Sequence, residues 1–174
     1  PALLAIRESS KESIISIDTF HSKVAEVALN NGANWINDVT GGRHDEHIYN
    51  VVASAECPYV LTHSRGNSQT MQALSIYYDV TSEVIQELLK RTEKAVNAGI
   101  KPENIIWDPG IGFAKTTEQN IILLKDIEQI SSEGFPVLVG PSQKRFIGDI
   151  LDEPDPENRI WGTAAVACRC LVGN

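Results

Sequence analysis

The chain has 174 residues, 42% of them apolar, which is enough for one domain with a sizeable core and carries no sign of disorder. Fifteen Lys and Arg stand against 23 Asp and Glu, and the resulting formal charge of -8 argues against nucleic acid or anionic membrane as a partner. Cys57, Cys168 and Cys170 have no CxxC or Cys/His ligand spacing, no apolar run approaches the roughly 20 residues that span a bilayer, and the first residues lack signal-peptide architecture. An acidic, soluble, cytoplasmic protein with reduced thiols is the expectation.

In chain order, short apolar runs alternate with longer amphipathic segments. The runs at 13–18, 33–39, 58–63, 104–109 and 135–142 read as five strands. Helical spacing recurs at 21–32, 45–56, 79–99 and 116–134, and Gly32, Gly99 and Gly134 stand where helices stop. This is the βαβ pattern of an α/β fold with a parallel sheet. Polar residues close every strand, at Asp18, Asn37 and Asp38, His63 to Arg65, Asp108, and Ser142 to Lys144. A ring of such ends suits a (β/α)8 barrel, whereas an open sheet gathers its ligand contacts near one switch point. Five strands make a partial barrel, and the expectation is one domain over 1–174, truncated at both ends.

Asp18 can accept two parallel hydrogen bonds from an amino-ring edge, or cap the helix that begins near His21. Of Asn37 and Asp38 only one can face the barrel axis, because side chains alternate along a strand. Asn37, both donor and acceptor, suits a heterocycle; Asp38 suits the scaffold, and a turn before Gly41 and Gly42 is the other reading. His63 and Arg65 fit either an anion or a solvated loop, and the charges of 79–99 read as an exposed helix face. The stretch DPGIGFAK, residues 108–115, is neither a dinucleotide fingerprint nor a phosphate loop. Its glycines let backbone approach a flat ligand, Phe113 offers an apolar wall, and Pro109 holds Asp108 extended. Lys144 beside Arg145 makes a basic corner, with Lys144 either a charge partner or a Schiff-base nucleophile.

Taken together, SIDTF, INDV, HSRG with TMQ, DPGIGFAK with its following Asn, PVLVGPSQKRFIG and R..GTAA resemble the dihydropteroate synthase family, in order and over essentially the whole chain. GPSQKRFIGDI looks closest to the plant and cyanobacterial type. The resemblance implies a (β/α)8 barrel that joins 6-hydroxymethyl-7,8-dihydropterin diphosphate to 4-aminobenzoate and releases pyrophosphate, with Mg2+ present. The family is a sulfonamide target. It further implies that Asp18, Asn37, Asp108 and Lys144 hold the pterin, with Asp18, Asp108 and Lys144 serving catalysis. Gly112, Phe113 and Arg145 then fall near the aminobenzoate. A homodimer at full length is implied, as is an organellar location if the source is plant-like, where an upstream pyrophosphokinase domain is also found.

Ser64 stands where the family usually has Met, and Gln143 where it has Arg. The early loop with the metal-associated Asn, a second early loop and the final anion-binding strand have no counterparts, so no metal ligand is expected within these residues. Three alternatives remain at this stage: a methyltetrahydrofolate methyltransferase on the same fold, a Schiff-base aldolase-like barrel using Lys144, and an inactive pterin-binding remnant.

Overall fold

The computed structural model describes residues 1–172. In order it contains α1 (Ala2–Ser9), β1 (Ser16–Asp18), α2 (Ser22–Asn30), β2 (Trp35–Asp38), α3 (His47–Ala55), β3 (Tyr59–Thr62), α4 (Val80–Asn97), β4 (Ile105–Asp108), α5 (Thr117–Lys125), α6 (Ile127–Ser131), α7 (Arg145–Leu151) and α8 (Ile160–Val172). The strands form one sheet in the order β1-β2-β3-β4. β1, β2 and β3 run parallel, with Asp18 opposite Asn37 and Asn37 opposite Val60. Each new strand joins the same edge, which is how barrel staves are laid, whereas a doubly wound sheet reverses direction at a switch point. The fold is α/β, a partial (β/α)8 barrel.

One expected strand is missing. Among the described residues 135–142 contribute only an isolated bridge at Val137 in place of a fifth strand. The run is apolar, but Pro136 and Pro141 supply no N–H, so its capacity to ladder is broken twice within eight residues. The four predicted helical segments all form; that at 116–134 divides at Asp126 into α5 and α6. Gly32, Gly99 and Gly134 have positive φ at the helix ends, as their positions foretold.

The chain divides into two compact units, residues 1–62 with 88–107, and residues 63–87 with those from Asp108 onward. The first buries Ala25 and Ala28 of α2, Ile48 and Val52 of α3, and Ile36, Tyr59, Leu61, Ile105 and Trp107 of the strands. Each large aliphatic group among them contributes about 1.5–3 kcal/mol by leaving water. Arg7 fastens α1 to this unit, donating to Lys11 O (2.6 Å), Ser13 O (2.8 Å), Gly32 O (2.5 Å) and Asn34 Oδ1 (2.8 Å). The second unit buries Val84, Ile111, Leu123, Ile127, Ile130, Phe146 and Ile147. α5 opens on a reciprocal capping box between Thr116 and Gln119. No helix among the described residues is long and apolar enough to cross a membrane.

Candidate functional site

In the first unit the parallel register sets Asp18 beside Asn37. Asn37 Nδ2 donates to Asp18 Oδ2 at 3.4 Å. Asn37 Oδ1 is buried and has no hydrogen-bond partner among the described residues. An orphaned buried acceptor costs about 1–3 kcal/mol, so it signals an absent donor. Burial raises the Asp18 carboxyl above its usual range, the Asp38 charge adds to that, and the Asn37 hydrogen bond offsets part of it. The capping alternative for Asp18 fails: His21 is the N-cap of α2, and Asp45 Oδ2 accepts from Ser22 N at 2.8 Å.

Asp38 faces the other way and is fully buried. It accepts from Thr40 N, Thr40 Oγ1, Gly42 N and Tyr59 OH, each at 2.8 Å. Four bonds satisfy the carboxylate and leave no capacity for a ligand, so Asp38 belongs to the scaffold.

In the second unit β4 ends at Asp108, which is buried. Its Oδ1 accepts from Gly110 N at 2.7 Å. Burial raises its pKa, while the Gly110 N–H and the charges of Lys144 and Lys115 pull it down. The loop beyond can form only with glycine at 110, where φ is +67° and a Cβ would overlap the His63 carbonyl oxygen. Gly112 N donates to Asn120 Oδ1 at 2.7 Å, and Asn120 Nδ2 donates to Thr116 O at 2.8 Å, which ties the loop to the start of α5.

Lys144 precedes α7 and its ammonium donates to Ile111 O. It also lies 4.6 Å above the Phe113 ring, a cation–π contact, so this face of the aromatic wall is met by the lysine ammonium. Burial lowers the Lys144 pKa and the Asp108 charge opposes that. Gly112 leaves room for this approach, since a Cβ there would come within 2.9 Å of Lys144 Cδ. Asp108, Gly112, Phe113 and Lys144 are thus gathered in one unit. Arg145 is not drawn in; its side chain is 81% exposed and its partner is Asp149 on the next turn, at 3.7 Å.

The segment carrying Lys144 is fixed by Arg159, a buried residue. It donates to Gln143 O (3.0 Å), Glu153 O (3.0 Å) and Pro154 O (2.6 Å). Gln143 itself takes a left-handed φ of +52°. Ser64 is buried in the second unit.

A half-buried network went unforeseen. Arg65 donates to Glu87 Oε1 (2.9 and 2.5 Å), Glu83 Oε2 (2.9 Å) and Ile76 O (2.7 Å), and stacks 3.8 Å above Tyr77. His63, fully buried, meets Glu87 Oε2 at 3.1 Å and Lys115 Nζ at 3.0 Å. Burial would raise Glu87, but the hydrogen bonds of His63 and Arg65 outweigh it and hold the carboxyl at about 2. The reading of α4 as a solvated charged face holds for Lys90, Glu93 and Lys94, which are exposed, and is corrected for Glu83 and Glu87, which are half-buried and turn toward Arg65. Their i, i+4 spacing one step from buried Val84 and Leu88 is the signal that would have found them.

Among the described residues no group of three or more His, Cys, Asp or Glu side chains converges on a point that would hold a metal ion.

The pterin binding enzyme family matches residues 1–173. A dihydropteroate synthase of Synechocystis is 47% identical over 173 residues, covering 99% of this chain and 60% of the relative. The crystal structure of the Stenotrophomonas maltophilia dihydropteroate synthase superposes with a TM-score of 0.95 at 34% identity, over 100% of this chain and 65% of that one. The Thermus thermophilus enzyme, solved with 4-aminobenzoate and with 6HMPPP, gives 0.93 in each case at 36% identity, over 100% of this chain and 66% or 68% of that one. The chain thus spans about two thirds of these relatives. A parallel sheet that carries Asp18, Asn37 and Asp108 at or beside its strand ends, and these matches from end to end, make the chain a member of the pterin binding enzyme family, with dihydropteroate synthases as its relatives.

Proposed function

We propose that the whole protein is a dihydropteroate synthase, joining 6-hydroxymethyl-7,8-dihydropterin diphosphate to 4-aminobenzoate, and that this chain supplies its pterin-recognising residues. The observation that carries the reading is Asn37 Oδ1, a buried acceptor without a donor, set beside the carboxylate of Asp18. A 2-aminopyrimidinone ring presents adjacent N–H donors and a carbonyl acceptor. The amide and carboxylate pair answers that pattern, and the missing donor would satisfy Asn37. Relatives solved with 4-aminobenzoate and with 6HMPPP support the two substrates.

In this reading the carbon–oxygen bond to the diphosphate breaks and pyrophosphate leaves with the electron pair. Positive charge then spreads over the pterin ring. Asp108, held by Gly110 N–H in a buried setting, opposes that charge more strongly than it would in water. The aminobenzoate nitrogen forms the new carbon–nitrogen bond and gives up a proton. Lys144 serves as charge partner and ring contact, and Phe113 and Gly112 line the approach of the second substrate. Arg145, free in solvent apart from Asp149, is suited to a carboxylate. Sulfonamide analogues of 4-aminobenzoate are expected to compete with it.

Calorimetry and turnover of the full-length gene product test the reading. Binding of the pterin diphosphate lost in Asp108→Asn, with product formed only by the parent, is the expected result. Binding without turnover in the parent would leave a pterin-binding remnant, and borohydride trapping of a carbonyl substrate on Lys144 would turn the assignment toward aldolase chemistry.

A further inference from the structure

Lys115 has no part in the reaction just described, yet it is only 4% exposed and sits among the atoms that shape the Asp108 loop. Its Nζ is 3.0 Å from each of Gly110 O, Phe113 O and His63 Nδ1. Phe113 N donates to Gly110 O at 3.0 Å, and Gly110 N donates to Asp108. The ammonium therefore clamps the two carbonyls between which the loop turns, one of them on Gly110, the residue whose N–H orients the carboxylate.

The hydrogen-bond inventory restricts the protons. A protonated Lys115 has three donors, which match two carbonyls and the His63 Nδ1 lone pair, and neutral His63 then donates from Nε2 to Glu87. Moving the proton to His63 keeps all three contacts, because Nδ1–H then donates to the lysine lone pair. Removing it from both costs one contact of the set: with Nε2–H kept for Glu87 the neutral lysine has two N–H donors for three acceptors, and with the proton on Nδ1 a lone pair on Nε2 faces the Glu87 carboxylate, so the clamp loses its charge and is weakened.

We propose that Lys115 is a positioning residue for the Asp108 loop, and that the single proton it shares with His63 locks that loop in its binding form. This rests on the reading of Asp108 as a pterin ligand. Burial brings Lys115 down to about 7; Asp108 and Glu87 oppose the fall, and Arg65 and Lys144 add to it. These are the charged groups that face it, from β4, α4, the segment after β3 and the segment before α7. The lock is at full strength below that value and weakens as pH rises through it.

The test follows the amide resonances of Gly110 and Phe113 in the full-length protein across neutral pH. They are expected to titrate together, and Glu87→Gln, which removes an opposing charge and keeps an acceptor for His63, is expected to move the midpoint down by about one pH unit, a tenfold loss of proton affinity. Lys115→Met should abolish the titration and Lys115→Arg should hold the loop locked throughout. In turnover, KM for the pterin diphosphate should rise along the same midpoint while kcat at saturation holds, a split that a general loss of stability would not give. Amides that do not titrate, or a midpoint unmoved by Glu87→Gln, overturn the proposal. Should Lys115→Met fail to fold, the Glu87→Gln shift decides alone. A parent protein that binds no pterin diphosphate sinks the functional reading, while the amide titration still judges the clamp.

Discussion

Asn37 and Asp38 are neighbours in sequence with opposite fates. The pleat turns Asp38 into four hydrogen bonds and leaves Asn37 holding one weak bond and an unsatisfied oxygen. Selection for stability alone would not keep such an acceptor. Asn37→Ala is therefore expected to leave stability unchanged or raise it by about 1 kcal/mol. Affinity for a pterin should fall about tenfold, or ~1.4 kcal/mol. Thermal unfolding paired with calorimetry checks both arms, and a variant that loses stability but keeps affinity would make Asn37 structural. That one of the two polar residues faces a ligand was legible from alternation. That its carbonyl oxygen lacks a donor was not, because satisfaction depends on atoms distant in sequence.

At the scale of elements, the segment from Asp108 to Lys115 depends on backbone geometry that the sequence announces only through its glycines. Gly110→Ala would force a methyl onto the His63 carbonyl at a left-handed φ. The backbone cost alone is about 1–2 kcal/mol and the overlap adds more, so a loss of about 3 kcal/mol or more is expected by denaturant unfolding. A loss below 1 kcal/mol would mean that the loop shifts freely. The glycines and Pro109 suggested a tight turn near a flat ligand. The lysine that clamps the turn carried no such mark, since a Lys after a loop normally reads as solvated. The same bias hid Glu83 and Glu87, whose pairing is set by Arg65 arriving from a segment some twenty residues away.

For the molecule as a whole, pH reports the balance among interacting charges. Glu87 has a folded-state pKa of about 2 against an ordinary 4.5. A depressed carboxyl contributes stability above the unfolded value and loses it as pH falls through the folded one, so this contribution disappears between 4.5 and about 2. Asp18 and Asp108 are raised and act in the opposite sense, since protonating them relieves a burial cost. Unfolding free energies of the parent and Glu87→Gln should differ at neutral pH and converge in acid; a difference independent of pH would remove the ion pair from the account.

The sequence by itself determined the α/β class, four of the parallel strands, the helix stops, and which polar residues close the strands. Those properties follow from local periodicity, from backbone conformations open mainly to glycine and from motif order, all carried by neighbouring residues. Tertiary structure decided that 135–142 does not ladder, that Asp38 is scaffold, that Arg145 points to solvent, and that Lys115, His63, Glu87 and Arg65 form one hydrogen-bonded chain. A hydrogen bond or an ion pair is satisfied only when its partner arrives in space, and the partners within the Lys115, His63, Glu87 and Arg65 chain lie some 20 to 50 positions apart.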